Sequence, residues 1–455
     1  MSNDTTNQAG AQVEIRVEDA VLSAQELQRA GKLDQAELIY TAILAALPDE
    51  PNTLHFLGIL RHQQGRNDEA LALIRRAAEG LPGDSGPWVN LGNVLLETQR
   101  FDDAVDAYKQ ASEFAPNNVL VYNNLGLLHS RRNFFDLAEA AYKHALQLAP
   151  NAEYVLHNYA RLMQRQGRYE EAVAYSIKSL ATNPNDPKGR RVLCMSHALL
   201  GDMEAAREVV RNWLAFDPDN PMATHLLAAV GGIATPARAS DAYVAAEFDS
   251  FSKSFDAKLE LLGYRAPELV ADALTRAIAP ATLAGDILDA GCGTGLCAPR
   301  LRPLALASRL DGVDLSQGML DKAHARGGYD SLKRAELTDY IAQHAAHWDA
   351  IVSADTLCYF GDLAPVFHAV QAALRAGGWL VFSVEAIETT GTTGTTQAPD
   401  SGYRLNYHGR YAHTRSYVEA CLRGAGLTPL SVESAVLRME VLRPVQGLVV
   451  VARRT

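Results

Sequence analysis

Three glycines at alternate positions, Gly291, Gly293 and Gly295, follow a short apolar run that contains Asp289. Where the backbone must turn sharply and let a ligand lie against it, only a residue without a side chain leaves room. The stretch Ile287 to Leu296 therefore predicts a buried strand, a glycine turn and a helix start. A second apolar run, Leu310 to Val313, ends in Asp314. An acid at the tip of the second strand of a βαβ unit can accept hydrogen bonds from both hydroxyls of a ribose. The pattern predicts a nucleoside-containing cofactor.

The spacing separates two cofactor classes. A dinucleotide fingerprint places its last glycine where Leu296 stands, because that glycine opens a helix toward a pyrophosphate. Asp289, two residues ahead of the first glycine, would repel a pyrophosphate and suits an ammonium group. S-adenosyl-L-methionine has an ammonium, a ribose and no phosphate, and is favoured over a nicotinamide dinucleotide. A tight turn without a ligand accounts poorly for Asp289 and Asp314 together.

On these residues the segment from about 240 to 455 resembles a class I S-adenosylmethionine-dependent methyltransferase. Asp289 to Gly295 is similar to that family's first motif, and Val313 to Leu320 to its second. The resemblance implies an α/β Rossmann-like domain with a seven-stranded sheet, with Asp314 on the ribose and Leu315 and Met319 flanking the adenine. It also implies that Glu336 faces the adenine amino group, although the family usually carries aspartate in a Gly-Asp pair there. The cofactor set so implied is Asp289, Gly291, Cys292, Gly293, Gly295, Asp314, Leu315, Met319, Glu336 and Asp355.

Other elements must position an acceptor. Phe248-Asp249 and Phe255-Asp256, followed by Leu262 to Pro267, resemble the N-terminal lid of small-molecule methyltransferases. The alternative is an amphipathic helix docked on the sheet or on the last repeat, with Tyr264 and Arg265 on the surface. Trp348 to Ser353 predicts a fourth buried strand that delivers Asp355 to its C-terminal end, where open α/β sheets bind ligands. Tyr359 borders the same place, and the Asn-Pro-Pro-Tyr motif of enzymes that methylate amino groups of bases or glutamine is not there. A fifth strand ends at Glu385, a low-complexity loop covers 389–402, and strands at Leu430–Val436 and Gly447–Ala452 complete the sheet. Between them, Tyr403 to His413 is rich in groups that bind or move protons. His413 is the candidate base, with Tyr411, Glu385 and Arg410 orienting a polar or anionic substrate and Tyr264 and Tyr359 beside it. The competing reading makes His413 a cap on a helix at 414–425.

The first half is periodic. Pro48, Pro82, Pro116, Pro150, Pro184 and Pro218 are each 34 residues apart, and Ala36, Ala70, Ala104, Ala138, Ala172 and Ala206 keep the same step. Leu54, Trp88 and Tyr122 each precede a Leu-Gly pair by three residues. These markers identify residues 17–220 as six tetratricopeptide repeats, an all-α right-handed solenoid with a concave groove. Residues 1–16 read as a disordered N-terminus. Residues 221–239 read as a capping helix and a linker, with a hinge at Gly231 to Arg238. Asn90, Asn124 and Asn158 share one slot in three successive repeats. Stacked, their amides could hold an extended peptide by its backbone, as in repeat arrays resembling those of O-linked N-acetylglucosamine transferases. Alternatively each amide bonds a neighbouring helix turn.

Composition sets the remaining bounds. A net charge of −11 without a Lys/Arg cluster argues against a nucleic-acid partner. The five cysteines lack metal-ligand spacing, so no metal site is expected, and they read as reduced thiols of a cytoplasmic protein. The first ten residues show no apolar signal segment, and Met222 to Ala237 is too interrupted to span a membrane. Three functions stay open. One is a methyltransferase whose repeats recruit a protein or carrier, another a small-molecule methyltransferase whose repeats serve assembly, and the third a scaffold that keeps a cofactor-sensing pocket.

Overall fold

The computed structural model describes residues 16–251, 255–279, 283, 285–305, 308–387, 400–440 and 443–455. Residues 1–15 of the expected N-terminal tail and residues 388–399 of the low-complexity loop lie outside the described residues.

The 34-residue period is a period of helix pairs. First helices begin at Val17, Pro51, Ser85, Val119, Glu153 and Pro187, and second helices at Leu33, Asn67, Phe101, Phe135, Tyr169 and Met203. The helix Pro221–Ala229 starts 34 residues after Pro187, so the capping helix occupies the first-helix slot of a seventh repeat. Side chains of Asp84, Asn118, Asp186 and Asn220 accept hydrogen bonds from first-turn N–H groups and fix where these helices start. Within a pair, the small residue of the first helix admits a ring from the second. A Cβ on Gly92 would stand 2.5 Å from the Tyr108 ring, and one on Gly126 would stand 2.5 Å from the Tyr142 ring.

Packing divides the chain after Leu162. The second compact unit, Met163 to Thr455, holds the last helices of the array together with the sheet. The boundary therefore does not fall at the glycine-rich segment before residue 240. That segment is not a free hinge. The Ala237 carbonyl accepts from the N–H groups of Gly361 and Asp362, both at 2.8 Å, and the Ala239 N–H donates to the Tyr359 carbonyl at 2.8 Å.

The strands are β1 (Ile287–Ala290), β2 (Leu310–Asp314), β3 (Ser331–Arg334), β4 (Trp348–Ser353), β5 (Leu374–Ala386), β6 (Tyr403–Leu405), β7 (Tyr411–His413), β8 (Leu427–Glu440) and β9 (Arg443–Arg454). Strands β3, β2, β1, β4 and β5 are adjacent and parallel, and the β8/β9 pair adds antiparallel to β5 through β9. These are the seven expected strands. A short hairpin, β6 and β7, raises the described total to nine by joining the C-terminal tip of β5 at Glu385 and Ala386. One apolar layer, built on Trp348, Phe367 and Phe382, and another, built on Val270, Leu274 and Leu301, cover the two faces of the sheet. Both faces being buried, β1, β2 and β4 read as nearly unbroken apolar runs. The ligand-binding end is left to the residues at the strand tips.

Replacing Gly126 with Val puts branched methyls into the Tyr142 ring. The packing predicts a loss of about 1–3 kcal/mol in the chemical denaturation of the first unit. A variant as stable as the parent would contradict it.

Candidate active site

A cavity of about 250 Å³ opens at the C-terminal ends of β1, β2 and β4. Gly291, Cys292 and Gly293 line one side, Asp314, Leu315, Ala335 and Glu336 the next, and Asp355, Tyr359, Arg410, Arg438 and Glu440 the far side. The turn after β1 needs glycine for two different reasons. Gly291 has φ +80 and a Cβ there would stand 2.2 Å from Thr356 Oγ1, whereas Gly293 has φ +53 and its missing side chain would project into open space. The second is the signature of backbone kept bare for a ligand.

Asp314 ties this turn to β2. Its Oδ2 accepts the Gly293 N–H at 2.9 Å, and its Oδ1 accepts the Ser316 N–H at 2.9 Å. Burial pushes its pKa up against these two donors, while the carboxylate retains lone pairs facing the cavity.

The Phe-Asp pairs of the expected lid act as roof and clasp. Phe248, on the helix Asp241–Phe251, and Phe255, on the helix Phe255–Leu261, meet edge to face at 6.0 Å and both line the cavity. Asp249 accepts from the Ser316 hydroxyl, and Asp256 accepts from the Thr294 hydroxyl at 2.5 Å and from Arg326 at 2.5 Å. Each aspartate thus fastens the roof to one of the two motif turns.

An ionic cluster closes the opposite side. Arg438, at 2% exposure, pairs with Asp355 at 2.6 Å, with Glu440 at 2.8 Å and with Glu385. Arg410 pairs with Glu385 at 2.7 Å and with Glu440. Burial raises the Glu440 pKa, but Arg410 and Arg438 outweigh it and bring it down to about 2. Asp355 has φ +55, a left-handed conformation that costs a non-glycine residue about 1–2 kcal/mol. Its N–H donates to the Ser383 hydroxyl at 2.9 Å and Arg438 holds its Oδ2, while Oδ1 has no hydrogen-bond partner.

Known protein families match segments in both halves of the chain. A family model described as a methyltransferase domain matches residues 262–432, and tetratricopeptide-repeat models match residues 21–85, 92–133, 119–152, 154–174 and 165–230. The chain joins tetratricopeptide repeats to a methyltransferase domain. It is 41% identical over 90 residues to the human methyltransferase-like protein 27, covering 20% of this chain and 36% of that one. It is 31% identical over 98 residues to a malonyl-[acyl-carrier protein] O-methyltransferase of Acetivibrio thermocellus, covering 22% and 35%. The matches thus span about a third of the length of these two relatives. The crystal structure of PilW, a type IV pilus biogenesis factor, aligns with 49% of this chain and 100% of its own at 20% identity, with a TM-score of 0.43.

Within the methyltransferase domain several expected residues lie elsewhere. Asp289 does not line the cavity but lies fully buried beneath the turn, because its side chain leaves β1 toward Tyr329, whose hydroxyl donates to Oδ2 at 2.6 Å. Gly295 and Met319 also sit behind the lining, the first against Tyr329 and Ala323, the second buried under the start of the helix Gln317–Arg326. His413 is no base for this cavity. It is fully buried away from the lining, stacks on Tyr417, and donates from Nε2 to the Gly361 carbonyl at 3.2 Å; burial brings its pKa down to about 4. Nor is it a helix cap, since Thr414 accepts the Tyr417 N–H at the start of Arg415–Gly424. Tyr411 is buried with its hydroxyl on the Pro236 carbonyl at 2.8 Å, and Glu385 stands behind Arg410 and Arg438, outside the lining. Tyr264, Tyr359, Arg410, Glu336 and Asp355 do line it.

Arg438 and Glu440 escaped the sequence reading because β8 runs on past its apolar segment. Their alternation with Leu437 and Met439 was the available signal.

In the first unit the asparagine slot forms a ladder in which each amide spends one of its two N–H donors on another side chain. The Asn158 amide donates to Asn123 at 2.9 Å, Asn123 to Asn124 at 3.0 Å, Asn124 to Asn93 at 2.8 Å, Asn93 to Asn90 at 3.5 Å, and Asn90 to Nε2 of the buried His55 at 2.8 Å. Asn158, Asn124 and Asn90 thus each bond a side chain of the preceding repeat rather than a neighbouring helix turn. Such a chain polarises along its length and stiffens the stack of first helices.

Burial pushes the Asp289 pKa up to about 7 despite the Tyr329 hydroxyl. The folded state then binds a proton that the unfolded state has lost, so between about pH 4 and 7 this group makes stability fall as pH rises. Asp289→Asn keeps an acceptor for Tyr329 and removes the titration. Its melting temperature relative to the parent should rise from pH 5 to pH 7.5, and a difference independent of pH would contradict the burial.

Proposed function

We propose that this chain transfers a methyl group from S-adenosylmethionine to an acceptor held under the lid, and that the repeats bind a protein or peptide partner. The observation that carries the reading is the meeting, in one cavity, of the bare backbone at Gly293 and the Asp314 carboxylate. Asp314 would accept from the ribose hydroxyls, Leu315 and Ala335 would flank the adenine, and Glu336 would face its amino group. Five carboxylates (Glu247, Asp314, Glu336, Asp355, Glu440) and three guanidiniums (Arg238, Arg410, Arg438) line the cavity. That excess of negative charge suits an ammonium and a sulfonium and disfavours a pyrophosphate.

When bound, the cofactor supplies an electrophilic methyl group that leaves by in-line displacement. The chain's own part is positioning and exclusion of water. Phe248, Phe255 and Phe360 cover the apolar side, and Arg410 and Arg438, each pinned by two or more carboxylates, present fixed N–H groups on the acceptor side. A small acceptor would fit this enclosed space as well as an inserted side chain. The small-molecule reading, with the repeats used for assembly, is the second choice on that ground.

Asp314→Ala removes two charge-assisted hydrogen bonds to the ribose. By calorimetry it should weaken S-adenosylmethionine binding roughly a hundredfold. Equal affinity in the variant would sink the assignment. Radiolabelled methyl transfer into a lysate of the source organism should then mark one protein band if the repeats read the substrate. Label in metabolites alone would favour the small-molecule reading.

A further inference from the structure

The unit that starts at Met163 brings the end of the repeat array to two cavity-lining elements. Arg191, on the first helix of the sixth repeat (Pro187–Leu199), reaches Glu247 on the lid helix Asp241–Phe251 with one guanidinium nitrogen, at 2.7 and 3.0 Å from its two oxygens. Glu247 lines the cavity and Arg191 does not. The Glu247 charge is therefore paired from the repeat side. His225, on the seventh-slot helix Pro221–Ala229, is 4% exposed and donates from Nε2 to the Gly409 carbonyl at 2.8 Å. Its ring stacks on Tyr243 of the lid helix at 3.9 Å. Gly409 has φ +92, and a Cβ there would stand 2.5 Å from the Tyr243 hydroxyl, so the loop comes this close to that ring because residue 409 has no side chain. The next residue is Arg410, and Tyr407 of the same loop packs among Cys194, Trp213 and Leu226 of the last helices.

We propose that the sixth repeat and the helix after it belong to the methyl-transfer machinery, with Arg191 and His225 as positioning residues. Arg191 sets the lid through Glu247, and His225 sets Arg410 through Gly409. Simple attachment of a repeat to a domain is served at least as well by apolar contacts, since a partly buried ion pair carries a desolvation penalty for both charges. Here the pair and the histidine contact converge on the two elements that form opposite sides of one cavity. Coupling of this kind is reciprocal: a ligand that orders the lid stabilises the sixth repeat, and a partner that engages the sixth repeat changes affinity in the cavity. The proposal rests on the cofactor reading given above.

The test uses the full chain and S-adenosylhomocysteine as the probe. Arg191→Met should weaken binding about tenfold, Arg191→Lys should recover most of it, and Arg191→Met combined with Glu247→Gln should lose less than the two single losses added. A second measurement needs no variant. On saturation with the probe, amide exchange should slow in Pro187–Leu199 as well as in Asp241–Phe251. Unchanged affinity in Arg191→Met, additive losses, or slowing confined to the lid helix would overturn the proposal alone. A parent chain that binds no probe would overturn the cofactor reading and this proposal with it.

Discussion

The hydrogen bond from the Gly293 N–H to the Asp314 carboxylate, 2.9 Å long, is the constraint on which the second unit depends. It joins the tips of two adjacent parallel strands and holds the turn after β1 open, with its backbone bare. Much else follows from keeping that geometry. Gly291 must lack a side chain so that Thr356 can close in from β4, and Ser316 gives Asp314 its backbone N–H as a second donor while its hydroxyl caps the following helix. The lid then has two fixed hydroxyls, Thr294 and Ser316, on which to fasten its aspartates.

On the side opposite the lid the fold accepts an expensive arrangement. Two guanidiniums and three carboxylates are gathered where β4, β5 and β8 end, and one aspartate is held in a left-handed conformation. Buried ions are tolerated only when each is paired and further hydrogen-bonded, and removing one partner leaves the rest uncompensated. A cluster so tightly constrained gives groups that do not reorganise when charge shifts nearby, which is the property an active site needs. The same logic extends to the last helices of the array, whose Arg191 pairs with Glu247 of the lid.

Much of this was legible in the sequence because it rests on local rules. The 34-residue step of proline and alanine marks helix ends and close helix contacts, and the glycine turn with Asp314 marks two strand tips. The Phe-Asp pairs at 248 and 255 carried both the roof and its clasp. What was not legible depends on contacts distant along the chain. His225 meets Gly409 from 184 residues away, so nothing near position 225 reveals that this helix belongs with the sheet. The chemistry-rich segment from Tyr403 to His413 misled for a related reason. Its two strands are only three residues each, and the pleat turns His413 and Tyr411 into the packed layer while the intervening turn delivers Arg410 to the cavity. The asparagine slot was legible as a ladder, but not that each of its amides spends one N–H on a side chain of the preceding repeat, His55, Asn93 or Asn123.

The most direct test of the account is a crystal structure of the full chain with S-adenosylhomocysteine. The account predicts density for the ribose on the Asp314 carboxylate, the adenine between Leu315 and Ala335, and the amino-acid end running past Gly293 toward Asp355 beneath Phe248 and Phe255. A nucleoside bound elsewhere, or one seated with its ribose away from Asp314, would contradict it.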